Sequence, residues 1–228
     1  MIRIFLLMIF FFQLAFGFTQ SKKASNLLNE YTSVALKSKK GLETPIIKWT
    51  KDTLTYNIEG QLTFLNSKKW IKFIDELSLI TNITFIESDE ADITIFIGTM
   101  NEYFEWLGES MPSYASSFNN WGRRRWNSNY ELFHSSYCLT PQIKIANYGS
   151  YQLKRWFLIS LGLNGTNPNN VSVLHNSFTQ SNYYLSKRDK QCLRLHYHPF
   201  IKPGMKMAEL KDVINSSIDL DALAKDKL

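Results

Sequence analysis

Residues 153–165 read LKRWFLISLGLNG. Leu153, Phe157 and Leu161 recur every four residues, the spacing that lays an apolar stripe along one face of a helix. Gly162 follows at once, where glycine closes a helix because it tolerates left-handed backbone. The stretch is therefore read as an amphipathic helix ending in a sharp turn. Its neighbours decide what kind of domain it serves.

Upstream, TLTYNIEG alternates, with Leu54, Tyr56 and Ile58 on one face, and predicts a half-buried strand. A helix follows, with Ser67 as its expected cap and Trp70, Phe73, Ile74, Leu77 and Ile80 at helical spacing. ITFIES and DITIFIG read as two more strands. In the second, Ile93, Ile95 and Ile97 oppose Phe96, the pattern of a strand covered on both faces. Residues 101–138 break the rhythm: after the short helical piece EYFEWL comes a long stretch with no clear period, and QIKIAN (142–147) reads as the last strand. Ser150 is the expected cap of the helix through 153–161.

Downstream, LSKRDKQCLRLHYHP is a helix with Ser186 and Asp189 as a capping pair, Leu185 ahead of the cap and Pro199 as its stop. PGMKMAELKDVI reads as a turn and another helix.

This succession, with the LGL-ended helix, resembles the metzincin branch of the zincin-like metallopeptidases. The downstream helix and the PGM turn are closest to a bacterial domain family of unknown function in that clan, whose members follow a pattern like EExxQxxGL. The resemblance implies an α+β fold: one metzincin-like domain with a mixed sheet packed on helices. It covers roughly residues 45–214.

In the metzincin pattern HExxHxxGxxH, two histidines four apart share a zinc, a glutamate acts as general base, and a third histidine returns after the glycine. Aligned on Gly162, this chain has Arg155 at the first ligand, Trp156 at the general base, Ile159 at the second ligand and Gly165 at the third. Arginine stays protonated and offers no lone pair. Tryptophan accepts no proton from water, and isoleucine binds no metal. The resemblance thus implies a scaffold without zinc catalysis and without a cofactor. SVLHNSF (172–178) lies where metzincins turn beneath the metal, with Leu174 near the usual methionine.

Other residues could carry chemistry. WGRRRW is read as a basic and aromatic cluster, with Trp121, Arg123, Arg124, Arg125 and Trp126 as candidate binding residues. The resemblance would place it beside the vacant site, whereas a bland reading folds both tryptophans onto the core. His196 and His198, at a helix end, complement its dipole as imidazolium groups. His134 and His175 complete the set of histidines. Glu102, Glu105, Glu109 and Glu131 lie in the irregular segment and could flank a cleft, which keeps an unrecognised, non-zinc hydrolase as the alternative to a binding protein.

The N-terminus reads as a signal peptide over residues 1–17: Arg3, then an apolar run from Ile4 to Phe16 broken only by Gln13, then a small-residue cleavage pattern. The run is short of the ~20 residues of a spanning helix. A secreted or periplasmic location is therefore expected, without a stable membrane span after cleavage. Residues 18–44 read as a polar lead-in with at most a weak helix, and residues 215–228 as a frayed tail. Cys138 and Cys192 are an even number in an exported chain, which favours one disulfide over two buried thiols. The formal charge of +6 is too modest for a nucleic-acid binder. A peptide, an envelope protein or an anionic cell-surface polymer is the expected partner.

Overall fold

Alternating and helical patterns settle into an α+β domain around a mixed five-stranded sheet. The structure, a computed structural model, describes residues 21–36, 42–61, 65–114, 120–140, 146–179 and 184–225. The expected signal peptide lies outside the described residues. No helix among them is long and apolar enough to cross a membrane.

Strands β1 (Thr53–Gly60), β2 (Thr84–Glu87), β3 (Ile93–Ile97), β4 (Asn120–Trp126) and β5 (Leu132–Leu139) lie in the order β2-β1-β3-β5-β4. β1 runs parallel to β2 and β3, and β3 parallel to β5; β4 closes one edge antiparallel to β5. Leu54, Tyr56 and Ile58 of β1 face the core, and β3 is buried along its whole length, as their patterns predict.

The helices are α1 (Lys22–Ala35), α2 (Ser67–Thr81), α3 (Met100–Trp106), α4 (Ala146–Ser160), α5 (Lys187–His196), α6 (Met207–Ser217) and α7 (Leu220–Lys225). Most of the core lies between the sheet and α2, α4 and α5. At its centre Phe157 of α4 meets Tyr56, Trp70 and Phe85 edge to face, with ring centroids 5.7, 5.3 and 5.6 Å away. Burying one such aromatic side chain is worth about 1.5–3 kcal/mol. On the opposite face of the sheet, short α3 covers Phe96 and Cys138 with Met100, Tyr103 and Phe104.

Several expectations need correction. The cap of α2 is Asn66 rather than Ser67; its Oδ1 accepts from the Lys69 amide at 3.0 Å. The short helix expected at EYFEWL is α3, but the stretch after it is not irregular throughout, for it holds β4 and most of β5. Its period is hidden because β5 buries Ser135 and Ser136, and polar β4 is an edge strand. Ser136 pairs with the Tyr103 hydroxyl at 2.8 Å. The strand expected at 142–147 falls on residues 142–145, outside the described residues, while Ala146 and Asn147 begin α4. Ser150 therefore lies inside that helix.

The described residues of both flanks are docked on the domain. α1 sends Leu27, Tyr31 and Val34 into the core, and Leu220 and Ala224 of α7 are buried beside it. The backbone amide of Ser21, the N-cap of α1, donates to Asp221 at 3.4 Å. The polar composition around α1 masks an apolar stripe at 27, 31 and 34, which is enough to dock a short helix. The PGM turn is stitched to the segment before β1: Ile46 donates to Met205 O at 2.9 Å, and Gly204 to Ile46 O at 2.8 Å.

The expected disulfide is not formed. Cys138 and Cys192 are free thiols, buried in separate clusters, Cys138 under α3 and Cys192 among the helices on the other face of the sheet. A bridge between them would have to pass through the sheet. Burial pushes the Cys138 thiol up to about 12 and that of Cys192 well above its ordinary value.

Candidate functional site

The C-terminal half of α4 is held by side chains from distant segments. The indole of Trp49 donates to Ser160 O at 2.9 Å, and the Tyr197 hydroxyl to Leu161 O at 2.8 Å. These bonds satisfy carbonyls that a helix end leaves without partners. Gly162 then turns the chain with φ +109°, and a Cβ there would collide with the carbonyl oxygen of Ile47 and crowd His196 Nε2. The glycine expected to turn the chain is thus required by both conformation and space.

Arg155 projects from α4 to the turn at 172–177. Its Nη1 donates to the His175 carbonyl, and its Nη2 to Asn176 Oδ1 at 3.1 Å. Tyr151, one turn earlier, donates to the same carbonyl at 2.6 Å. Thr166, just past the glycine turn, donates to Asn176 Oδ1 at 3.1 Å. On the far side of this turn Asp189 accepts from the Ser172 hydroxyl, from Val173 N at 3.1 Å and from Ser186 N at 2.9 Å. Helix, glycine turn, 172–177 turn and the cap of α5 are therefore one hydrogen-bonded unit, with Arg155 at its hub.

The residues aligned in the sequence with the other positions of the metzincin pattern are engaged as well. Trp156 is buried against Tyr137 of β5, with ring centroids 4.7 Å apart. Ile159 is buried, and the Gly165 amide donates to Val34 O of α1 at 2.8 Å. The residues present do not fit a zinc ion: a hydrogen-bonded guanidinium stands where the first ligand would be, and an aliphatic side chain at the second. Among the described residues, no three of His, Cys, Asp and Glu come together as a metal site.

The WGRRRW residues fall on β4 and are divided between the two faces of the sheet. Trp121 and Arg123 lie under α3, where Trp121 meets Phe104 at 6.2 Å and Arg123 grips Glu109 with contacts of 2.9 and 2.5 Å. Arg124 lies on the other face of the sheet, the side of Tyr137. Burial raises the Tyr137 hydroxyl to about 12, against the pull of Arg124. Arg125 is exposed opposite His134, and Trp126 is 43% exposed. Gly122 passes directly over the Tyr137 ring, where a side chain would not fit.

Among the other residues singled out, Glu102 is the capping carboxylate of α3, bonded to Thr99 N at 2.7 Å. Glu109 is held by Arg123, Glu131 accepts from Asn127 at 2.7 Å, and Glu105 is exposed. His196 departs from its expected role as an imidazolium at a helix end. It is fully buried with Nδ1 3.3 Å from the Tyr31 hydroxyl, and burial together with the Lys48 ammonium pulls it down to about 3. His198 is only partly buried, and His175 is bonded within its own turn.

The sequence reading missed Tyr151, Asn176 and Thr166. Tyr151 and Arg155 stand four apart on α4, a spacing that could have marked a shared face; nothing local marks Asn176. Comparison with protein-family profiles gives no match, and comparison with curated protein sequences gives none either.

Proposed function

We propose that the protein is an exported, non-catalytic binding protein on a metzincin-like scaffold, acting in the cell envelope or extracellular space. The observation that carries this reading is Arg155, whose guanidinium joins α4 to the 172–177 turn at the position where the metzincin pattern would have its first metal ligand. A fixed, planar cation can hold two segments together without a metal. The order of elements, the Gly162 turn and the capped α5 support the scaffold; the apolar run at 4–16 supports export.

The partner is a peptide, an envelope protein or an anionic cell-surface polymer lying along the edge of β4. Edge strands offer backbone groups to an added extended chain. Arg124, Arg125 and Trp126 supply charge and an aromatic surface there.

Two measurements test this. Protein exposed to zinc and then desalted should hold no stoichiometric metal and hydrolyse neither peptides nor glycans; one tightly held equivalent, or hydrolysis insensitive to chelators, overturns the reading. Retention on isolated envelope material should fall when Arg124 and Arg125 are both changed to alanine. Unchanged retention removes β4 as the binding edge.

A further inference from the structure

A cavity of about 370 Å³ opens between α2, α4 and α5, away from the Arg155 turn. One wall is a single face of α2, with Lys69, Lys72, Phe73 and Glu76 at the i, i+3, i+4, i+7 spacing. Lys154 comes from α4, Leu185 from just before α5, and Lys190 from α5. Among the described residues, four lysines and one carboxylate, Glu76, line the space, and Glu76 pairs with Lys190 Nζ at 2.6 Å.

Lys154 is the unusual member, because its side chain is almost wholly buried. Its Nζ lies 5.6 Å from the ring centroid of Phe73 and 5.2 Å from that of Tyr184. Ring faces stabilise a cation only partly when it has lost its water. Burial pulls its ammonium down to about 8, and Lys69 adds to the effect against the opposing pull of Glu76. A desolvated cation flanked by further cations and apolar side chains is matched to an anion with an apolar body.

We propose that this cavity binds a phosphate monoester carrying a compact apolar or aromatic group. The phosphate sits among Lys69, Lys72 and Lys154, and the apolar part rests on Phe73, Leu185 and Tyr184. Lysines bind phosphate as point charges, and a dianion offsets this cluster better than a single carboxylate would. The cavity lies at the lower end of the size range of small-molecule sites, which suits a ring or short chain. The site uses none of the groups in the Arg155 unit or on β4, so it stands or falls independently of the proposed function. A phosphate monoester could arrive as a free metabolite or as a lipid headgroup.

Titration calorimetry of the full chain with phenyl phosphate, beside sedimentation with phosphatidylcholine vesicles with and without phosphatidic acid, separates these sources. Binding in either arm should weaken by about tenfold or more in Lys154→Met and in Lys72→Met. Lys72 is exposed, so its variant reports on binding even if the first one folds poorly. Glu76→Gln should tighten binding by removing the competing carboxylate. Bound phenyl phosphate should also raise the titration midpoint of Lys154, read by NMR of its ε-methylene. Binding to vesicles alone, with the same dependence on Lys72, assigns the lipid source. Binding in neither arm, or an affinity in both lysine variants equal to that of the parent, overturns the proposal.

Discussion

The carbonyl oxygen of His175 receives two donors from one helix, the Arg155 guanidinium and the Tyr151 hydroxyl. Removing either donor leaves the other, but only Arg155 also reaches Asn176. Arg155→Met should therefore destabilise the fold by about 1–3 kcal/mol, the cost of losing two hydrogen bonds from a charged donor, and more than Tyr151→Phe does. Urea unfolding of both variants checks this. Equal, negligible shifts would mean that the turn does not depend on the guanidinium.

Gly162 should tolerate no side chain. Its φ of +109° and the approach of the Ile47 carbonyl act together, so Gly162→Ala is expected to cost more than ~2 kcal/mol. Thermal unfolding reads the effect directly, and a variant as stable as the parent would show that the turn relaxes freely.

His196 should make the fold acid-sensitive. Its folded-state value of about 3 lies below the ordinary 6.5, so the unfolded chain takes up the proton first as pH falls. The stability this neutral imidazole contributes is complete above pH 6.5 and is lost as pH drops through about 3, at roughly 1.4 kcal/mol per unit of the difference. Burial raises Asp189 and Glu30, which act in the opposite sense, so the informative comparison is with His196→Gln. Urea midpoints at neutral and acid pH should converge for that variant. Parallel slopes for both proteins would remove His196 as the cause.

The two thiols should be inert in the native state. Both are buried and both are shifted upward, so a thiol reagent should modify them only after denaturant is added, and reductant should leave the melting temperature unchanged. An intact mass lower by two hydrogens, restored on reduction, would instead reveal a bridge.

How far these features could be read in advance depended on where their signal lay. β1, β3, α2 and α5 were legible because each carries its own period or cap: Leu54, Tyr56 and Ile58, or Ser186 with Asp189. β4 and β5 were not, since buried Ser135 and Ser136 look like loop residues until the Tyr103 hydroxyl is seen beside one of them. α1 was underrated for a related reason. Its stripe of Leu27, Tyr31 and Val34 is short, and its lysines and serines dominate the composition. At the Arg155 site the sequence identified which residues replace ligands, but not what the guanidinium does, because Asn176 lies far along the chain. The lysine cavity was hidden likewise. Lys69, Lys72, Phe73 and Glu76 form a visible stripe, but nothing in α2 announces that Lys154 and Lys190 face it.

The pairing of α1 with α7 has a kinetic consequence. Chain ends are where most folds begin to loosen, since a terminal segment can detach without disturbing the rest. Here the first described helix leans on the last, Ser21 reaches Asp221, and Gln191 of α5 holds the Leu223 carbonyl at 2.8 Å. Neither of these two helices can peel away alone, so both should exchange their amide hydrogens in step with α5, as a latch does with the door it secures.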